Sequence, residues 1–397
     1  MVKGGVMIPA VVLTGNVIGL AAVRALGIMG VPVTVIYYEE QDISGFSRYV
    51  REKVRAPHPA RHEDEYIDVL IEHSKKNGKG ILFPADDAAL KATARNKALL
   101  QDYYQVACPE WDITEKFIDK KYTYSIADHV GVPCPRTLVP DSEEEAIEFG
   151  GLIDYPCLIK PCESHLYFAV FRKKMVLVEN IDELVAEYRK SMNAGLKVML
   201  QEYIPGGDDQ GVNYNSFFIG GEALLEFTAQ KVRLSPPSFG VPRVVVSREI
   251  PEVIEDGRKI LKAMGFYGYS CTEFKKDSRD GRYKLMEVNG RHNRSGLLAL
   301  HCGINFPWVE YRFHAYGERP EASGFRSGVY WIDEASDILN SIKRYKDERY
   351  GFWKYLEPYR APHVFAVFDL KDFKPFGKRV IEIGKLALQG GLHKLKT

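Results

Sequence analysis

Two acidic residues and an amide on one β-hairpin are the first candidates for chemistry in this chain. The segment Tyr269 to Gly290 reads as two strands about a turn, Asp277-Ser-Arg-Asp-Gly281, which holds an Asp-Gly pair and no apolar residue. Pairing the strands symmetrically about Asp280 places Glu273 opposite Glu287, on one face with Cβ atoms about 5 Å apart. Asn289, two residues beyond Glu287, shares that face, while Met286 and Val288 point into a core. Side-by-side carboxylates repel and destabilise a sheet unless a cation sits between them. Two carboxylates and an amide oxygen form an all-oxygen set suited to Mg2+, which keeps waters and takes its other ligands from phosphates. The plain alternative is an exposed acidic hairpin.

Cations for such phosphates stand at element ends. Lys160 ends the apolar strand Tyr155-Pro-Cys-Leu-Ile-Lys160, and Lys120 lies just inside a helix that starts after Asp119. An ammonium is a good point-charge partner for phosphate oxygens, although most lysines are solvated surface residues. In Gln201-Glu-Tyr-Ile-Pro-Gly-Gly-Asp-Asp209 a strand gives way to a loop offering backbone groups, and carboxylates able to hold ribose hydroxyls. On its own it could equally be an ordinary turn.

The elements that must position these residues begin with a βαβ unit. Ala10 to Thr14 is an apolar strand, Gly15 to Gly19 a turn, Leu20 to Met29 a helix closed by Gly30, and Val31 to Ile36 the next strand. This pattern predicts a parallel, Rossmann-like sheet, continued by helices over 65–74 and 87–100 and a strand over 80–83. Gly15 and Gly19 form GxxxG rather than GxGxxG, and Glu39 is the nearest acid after the second strand, so the turn does not read as a dinucleotide site. A structural turn, or a contact with an acidic or phosphorylated substrate, fits better. Near residue 112 the character changes. A helix over 119–130 is stopped by Gly131-Val-Pro-Cys-Pro135, and strands around residues 155–160 and 175–178 flank a long loop. A helix over 181–194 and a strand over 197–204 follow, then a strand-rich stretch from Asn213 to Ile250 and a helix from Val253 to Met264.

Composition narrows the function. A chain of 397 residues suggests two or three compact units, and 45% hydrophobic with 27% charged residues is ordinary for a globular protein. The formal charge of +1 provides no basic field for nucleic acid. Cys108, Cys134, Cys157, Cys162, Cys271 and Cys302 form no CxxC pair and no zinc-like cluster with histidine, as expected of thiols in a reducing compartment. Met1 to Pro9 lacks an apolar signal core, and the apolar stretch Val17 to Val35 is broken by Arg24, glycines and Pro32. The expected location is cytoplasmic.

Taken in order, Asp119-Lys120, Gly131-Val-Pro-Cys-Pro135, Tyr155-Pro-Cys-Leu-Ile-Lys-Pro161, Gln201-Glu-Tyr-Ile-Pro-Gly206, Glu273 and Glu287-Val-Asn-Gly-Arg291 resemble the ATP-grasp superfamily over roughly residues 8 to 315. The resemblance implies an α/β fold. A Rossmann-like pre-ATP-grasp domain (1–112) would precede N-terminal (113–195) and C-terminal (196–320) ATP-grasp subdomains and a C-terminal extension (321–397). It implies ATP with Mg2+, or Mn2+ in its place. Lys120 and Lys160 would hold phosphates, Glu202, Tyr203 and Ile204 would line the adenine, and Asp208 or Asp209 would hold the ribose. Glu273, Glu287 and Asn289 would bind metal, and Arg291 would stabilise the transferred phosphoryl group or acyl phosphate.

Within the superfamily, Gln230-Lys-Val-Arg-Leu-Ser-Pro-Pro-Ser-Phe-Gly240 is similar to the D-aspartate ligase-like carboxylate–amine ligases; Lys231 and Arg233, at period two, would share one face and address phosphate or a substrate carboxylate, a solvated strand face being the plain alternative. Pro84-Ala-Asp86-Asp87 resembles that group's substrate-facing loop, whose acids could meet an amine. The implied activity is ADP-forming amide synthesis through an acyl phosphate, with small carboxylate and amine substrates such as an amino acid or a cell-wall precursor. Bicarbonate- or thiol-using ATP-grasp enzymes, and a non-catalytic nucleotide- or peptide-binding module, are the alternatives. Two departures stand out. The loop 161–174 has no glycine, leaving Ser164, His165 and Arg172 as side-chain substitutes for backbone phosphate contacts, and Gly290 stands where a proline is common. The tail from Gly377 to Thr397 reads as a basic helix, either packed or attached weakly to an anionic membrane surface. Oligomeric state is not legible.

Overall fold

The computed structural model describes residues 7–162, 167, 170–173, 175–238, 240–343 and 351–388. Its first layer is a five-stranded sheet of β1 (Ala10–Leu13), β2 (Val33–Tyr37), β3 (Val50–Arg55), β4 (Gly80–Pro84) and β5 (Tyr104–Val106), ordered β3-β2-β1-β4-β5. Every pairing is parallel. β1 and β4 are continuous apolar runs because helices cover both faces of the sheet. The expected glycine turn is structural. The Asn16 side chain caps the helix Val17–Gly27 by accepting from Ile18 N (2.8 Å) and Gly19 N (3.3 Å), and Asp42 fills the space a Cβ on Gly15 would need, 1.8 Å from its carboxylate oxygen.

A small sheet follows, of β6 (Thr137–Leu138), β7 (Cys157–Pro161), β8 (Val176–Val178) and β9 (Val198–Glu202), ordered β6-β9-β7-β8. Helices Glu143–Leu152 and Ile181–Asn193 back it, and Ala146, Leu184 and Tyr188 pack on Cys157, Ile159, Val198 and Leu200. The third layer is a seven-stranded sheet ordered β14-β13-β10-β11-β12-β15-β16. Its strands are β10 (Gly211–Ile219), β11 (Glu222–Ser235), β12 (Val241–Ser247), β13 (Gly268–Lys276), β14 (Tyr283–Asn289), β15 (Tyr330–Ile332) and β16 (His363–Phe365). Helix Ile254–Met264 buries Ile260, Leu261 and Met264 against one face, and Leu297, Leu298 and Phe306 cover the other.

The segment after residue 320 completes this sheet. β15 pairs antiparallel with β12 (Val245↔Trp331), and β16 pairs parallel with β15. Buried charges tie it down. Asp337 receives Arg233 through two bonds of 2.9 and 2.7 Å and lies 3.5 Å from Arg243, and all three side chains are almost wholly buried. Asp372 binds Arg24 (2.9 Å) and Ser47 (2.7 Å) of the first layer. The terminal helix runs Lys374–Leu388, and residues 389–397 of the expected basic helix lie outside the described residues. Of its cations, Lys378 bonds Glu382 and lies over the Phe46 ring, and Arg379 bonds Asp333, while Val380, Ile381 and Leu388 are exposed.

Removing one partner of a buried ion pair leaves an uncompensated charge. Asp337→Ala takes the carboxylate from two buried guanidiniums, and a loss of about 3–5 kcal/mol is expected, read from the shift of the urea denaturation midpoint.

Candidate active site

β13 and β14 pair as the turn chemistry predicts, with Glu273 directly opposite Glu287 and Cys271 opposite Asn289. The register then slips between Glu273 and Phe274, because Phe274 faces Leu285 and Met286 is the extra residue of a β-bulge. Leu285, not Met286, therefore enters the core beside Val288, and Met286 stays half-buried, with its carbonyl accepting from Tyr124 Oη at 2.7 Å. The bulge sits immediately beside the carboxylate pair.

The mutual repulsion of Glu273 and Glu287 is offset by protein cations. Lys231 on β11 bonds Glu273, and Lys120, at the start of helix Lys120–His129, lies 3.8 Å from Glu287. Burial alone would raise the Glu273 pKa, but the charges of Lys231, Arg291 and Lys120 hold it below the usual carboxylate range. Glu287 raises the Lys120 pKa against the effect of burial. Asn289 Nδ2 lies 3.5 Å from Glu273 Oε1. Among the described residues no group of three or more His, Cys, Asp and Glu side chains is placed to hold a metal, so any cation site here consists of two carboxylates and amides. That set fits Mg2+. A further observation agrees: the amide oxygen of Asn213, buried on β10 directly across from Glu273, has no hydrogen-bond partner among the described residues.

Lys160 comes from the small sheet, where its ammonium donates to Gln201 Oε1 while Gln201 Nε2 donates to Thr137 Oγ1 at 3.0 Å. Gln201 is fully buried, and sequence reasoning missed it as a site residue. Only the β7–β9 pairing, Leu158↔Gln201, reveals that it lies diagonally beside Lys160 on one face. Burial, reinforced by the Lys120 charge, pushes the Lys160 pKa down to about 7. Arg291 extends past β14 and pairs through two bonds, 2.6 and 2.9 Å, with Asp87 at the carboxyl end of β4. That crevice is where open parallel sheets place ligands. Asp86 of the same loop caps the following helix through Ala89 N (2.9 Å) and accepts from Tyr38 Oη.

Other expected residues are placed differently. Lys231 and Arg233 do not share a face. Val232 is an extra residue against β12, so Lys231 faces Val245 and Arg233 faces Val244, and adjacent strand residues point to opposite sides. Arg233 is consumed by Asp337 and Tyr355, away from the carboxylates. The Glu202 carboxylate turns to Arg279 and to Arg136 N (3.0 Å). Asp208 accepts Leu234 N (2.9 Å) and Ser238 N (2.7 Å), bracing the end of β11, while Asp209 is exposed. Tyr203 lies beneath the Lys275 ammonium and Ile204 is buried. Gly290 is small because a Cβ there would meet Phe117 at 2.4 Å. Of the three side chains expected to substitute for backbone phosphate contacts, Ser164 and His165 lie outside the described residues, and Arg172 lies within them in a left-handed backbone conformation (φ 54°).

The fold is that of the ATP-grasp enzymes. No family model matches the chain. Its similar proteins are ATP-grasp enzymes, among them the D-aspartate ligase of Enterococcus faecium (strain Aus0004), 26% identical over 253 residues covering 59% of this chain and 58% of that protein. The chain thus spans less than two thirds of the length of the curated relatives it matches first. Among solved structures, the L-amino acid ligase of Bacillus licheniformis superposes with a TM-score of 0.62 at 18% identity, over 79% of this chain and 75% of that one. The biotin carboxylase domain of Hydrogenobacter thermophilus 2-oxoglutarate carboxylase, in complex with MgADP and bicarbonate, gives 0.64 at 19%, over 82% and 74%.

A lysine whose pKa is depressed to about 7 gains a proton when an anion settles beside it. If phosphates bind at Lys160, ATP binding at pH 8 takes up about one proton, and affinity falls as pH rises above 7. Calorimetry in buffers of different ionisation enthalpy measures the uptake, and Lys160→Met should remove it.

Proposed function

We propose that this chain is an ATP-dependent carboxylate–amine ligase that forms an acyl phosphate and releases ADP and phosphate. The observation that carries the reading is one cluster. The paired carboxylates Glu273 and Glu287 with Asn289 are ringed by Lys120, Lys231 and Arg291, with Lys160 close enough to feel Lys120 and Glu287. Such a cluster serves charge that develops on a phosphoryl group passing from ATP to a carboxylate oxygen, a reaction in which a protein mainly positions reactants and neutralises charge. A carboxylate is a poor electrophile, and phosphorylation supplies it with phosphate as leaving group.

In this reading Lys120, Lys160 and Lys231 hold phosphates, and the backbone of Tyr203 and Ile204 meets the adenine edge. Asp209, exposed, is the better placed of the two aspartates for the ribose. Glu273, Glu287 and Asn289 hold Mg2+, or Mn2+ in its place, which neutralises phosphate charge when bound. Arg291 leaves Asp87 in part to meet the transferred phosphoryl group, freeing that carboxylate to face the incoming amine. Arg233 is structural. The substrates are a small carboxylate and an amine, with an amino acid or a cell-wall precursor among the first to test. A cytoplasmic setting agrees with ATP chemistry, and among the described residues no helix is long and apolar enough to cross a membrane.

With the right carboxylate present, hydroxylamine should trap a hydroxamate without the amine, and oxygen-18 from the carboxylate should appear in the released phosphate. Release of AMP, or unlabelled phosphate, overturns the mechanism, and ADP formation that depends on bicarbonate favours a carboxylating enzyme instead. Glu287→Gln should lower kcat by about 10²–10³-fold while the thermal midpoint holds.

A further inference from the structure

The turn that closes the carboxylate hairpin also grips the segment joining the two ATP-grasp sheets. Arg279, at the tip of the turn, donates from Nε and Nη2 to the buried carboxylate of Asp277 (3.0 and 2.7 Å). The same Nη2 donates to Glu202 Oε1, and Nη1 lies 3.5 Å from Asp154. Asp277 thus fixes the guanidinium in the fold of the hairpin, and its outer edge is presented to residues of the small sheet.

Three neighbouring contacts run along the same seam. Ser278 N donates to Pro205 O at 3.3 Å. The Lys275 ammonium stands 5.3 Å from the centre of the Tyr203 ring. Gly206 has φ +134°, and a Cβ there would come within 3.2 Å of Lys276 O, so the chain passes close against the end of β13. Residues 202, 203, 205 and 206 are each met by the hairpin.

We propose that Arg279 is a positioning residue for the nucleotide base: through Glu202 it fixes the 202–206 segment so that its backbone presents a set edge to the purine. This rests on the reading that ATP binds there. Glu202 contributes through its bond to Arg279, not by touching the ligand. A guanidinium fork held on one side by Asp277 can orient Glu202 as a mobile ammonium cannot. Because the same hairpin carries Glu273 and Glu287, the base-reading segment and the metal carboxylates are placed by one element.

Competition against a fluorescent ATP analogue tests this, using ATP and inorganic tripolyphosphate as probes. Arg279→Met should weaken ATP about tenfold and raise its KM, with kcat at saturating ATP and tripolyphosphate affinity changed by less than about twofold. Glu202→Gln removes the charge that Arg279 pairs with and leaves one oxygen for two donors, Arg279 Nη2 and Arg136 N, so it should reproduce the loss, and the double variant should be no worse than either single one, because both weaken one coupling. Unchanged ATP affinity in both single variants, or equal loss of ATP and tripolyphosphate with the thermal midpoint intact, overturns the inference. If Arg279→Met fails to fold, Glu202→Gln decides by the same two probes. A wild-type chain that binds tripolyphosphate but not ATP overturns the base site alone, whereas one that binds neither overturns the functional reading and this inference with it.

Discussion

Two negative charges that ought not to be neighbours organise this molecule. Direct pairing brings Glu273 and Glu287 to adjacent positions on one sheet face, an arrangement that costs free energy in the absence of counter-charge. Each counter-charge comes from a different piece of the chain: Lys231 from the middle of the large sheet, Lys120 from a helix start, and Arg291 from beyond β14. The last is itself balanced by Asp87 of the parallel domain. The layers are thus docked partly because their charges complete one another, and the place where they meet is where the proposed reading puts the phosphates.

Lys160 shows the same economy from the opposite side. It is placed beside Lys120 with an uncharged partner, Gln201, so its proton is held loosely. A buried lysine given a carboxylate partner would be locked in its charged state. One given an amide partner responds to the arrival of an anion.

How far the sequence could be read depends on the kind of signal each feature leaves. The Glu273–Glu287 pair was legible because the polar turn with its Asp-Gly pair marks the centre of the hairpin, and register follows from the centre. The bulges at Met286 and Val232 were not, because one extra residue in a strand leaves no mark of composition. Each reversed the faces expected beyond it, moving Met286 out of the core and Arg233 away from Lys231. The parallel domain was visible in the apolar runs of β1, β2 and β4, but β3, Val-Arg-Glu-Lys-Val-Arg, alternates charge at a sheet edge and does not announce itself. β15 and β16 are three residues each and become strands because β12 and then β15 offer a ladder. The Arg291–Asp87 pair spans 204 residues of sequence, and no local pattern foretells it.

The way β15 covers β12 also sets where this chain can be cut. A fragment ending at residue 320 would keep the hairpin and the lysines, yet β12 would become a bare edge with unpaired backbone groups. Arg233 and Arg243 would lose their shared carboxylate at the same stroke. An apolar strand so exposed is a template for another chain to pair with. Shortening the protein to its recognisable part would therefore trade a closed sheet for a self-associating one.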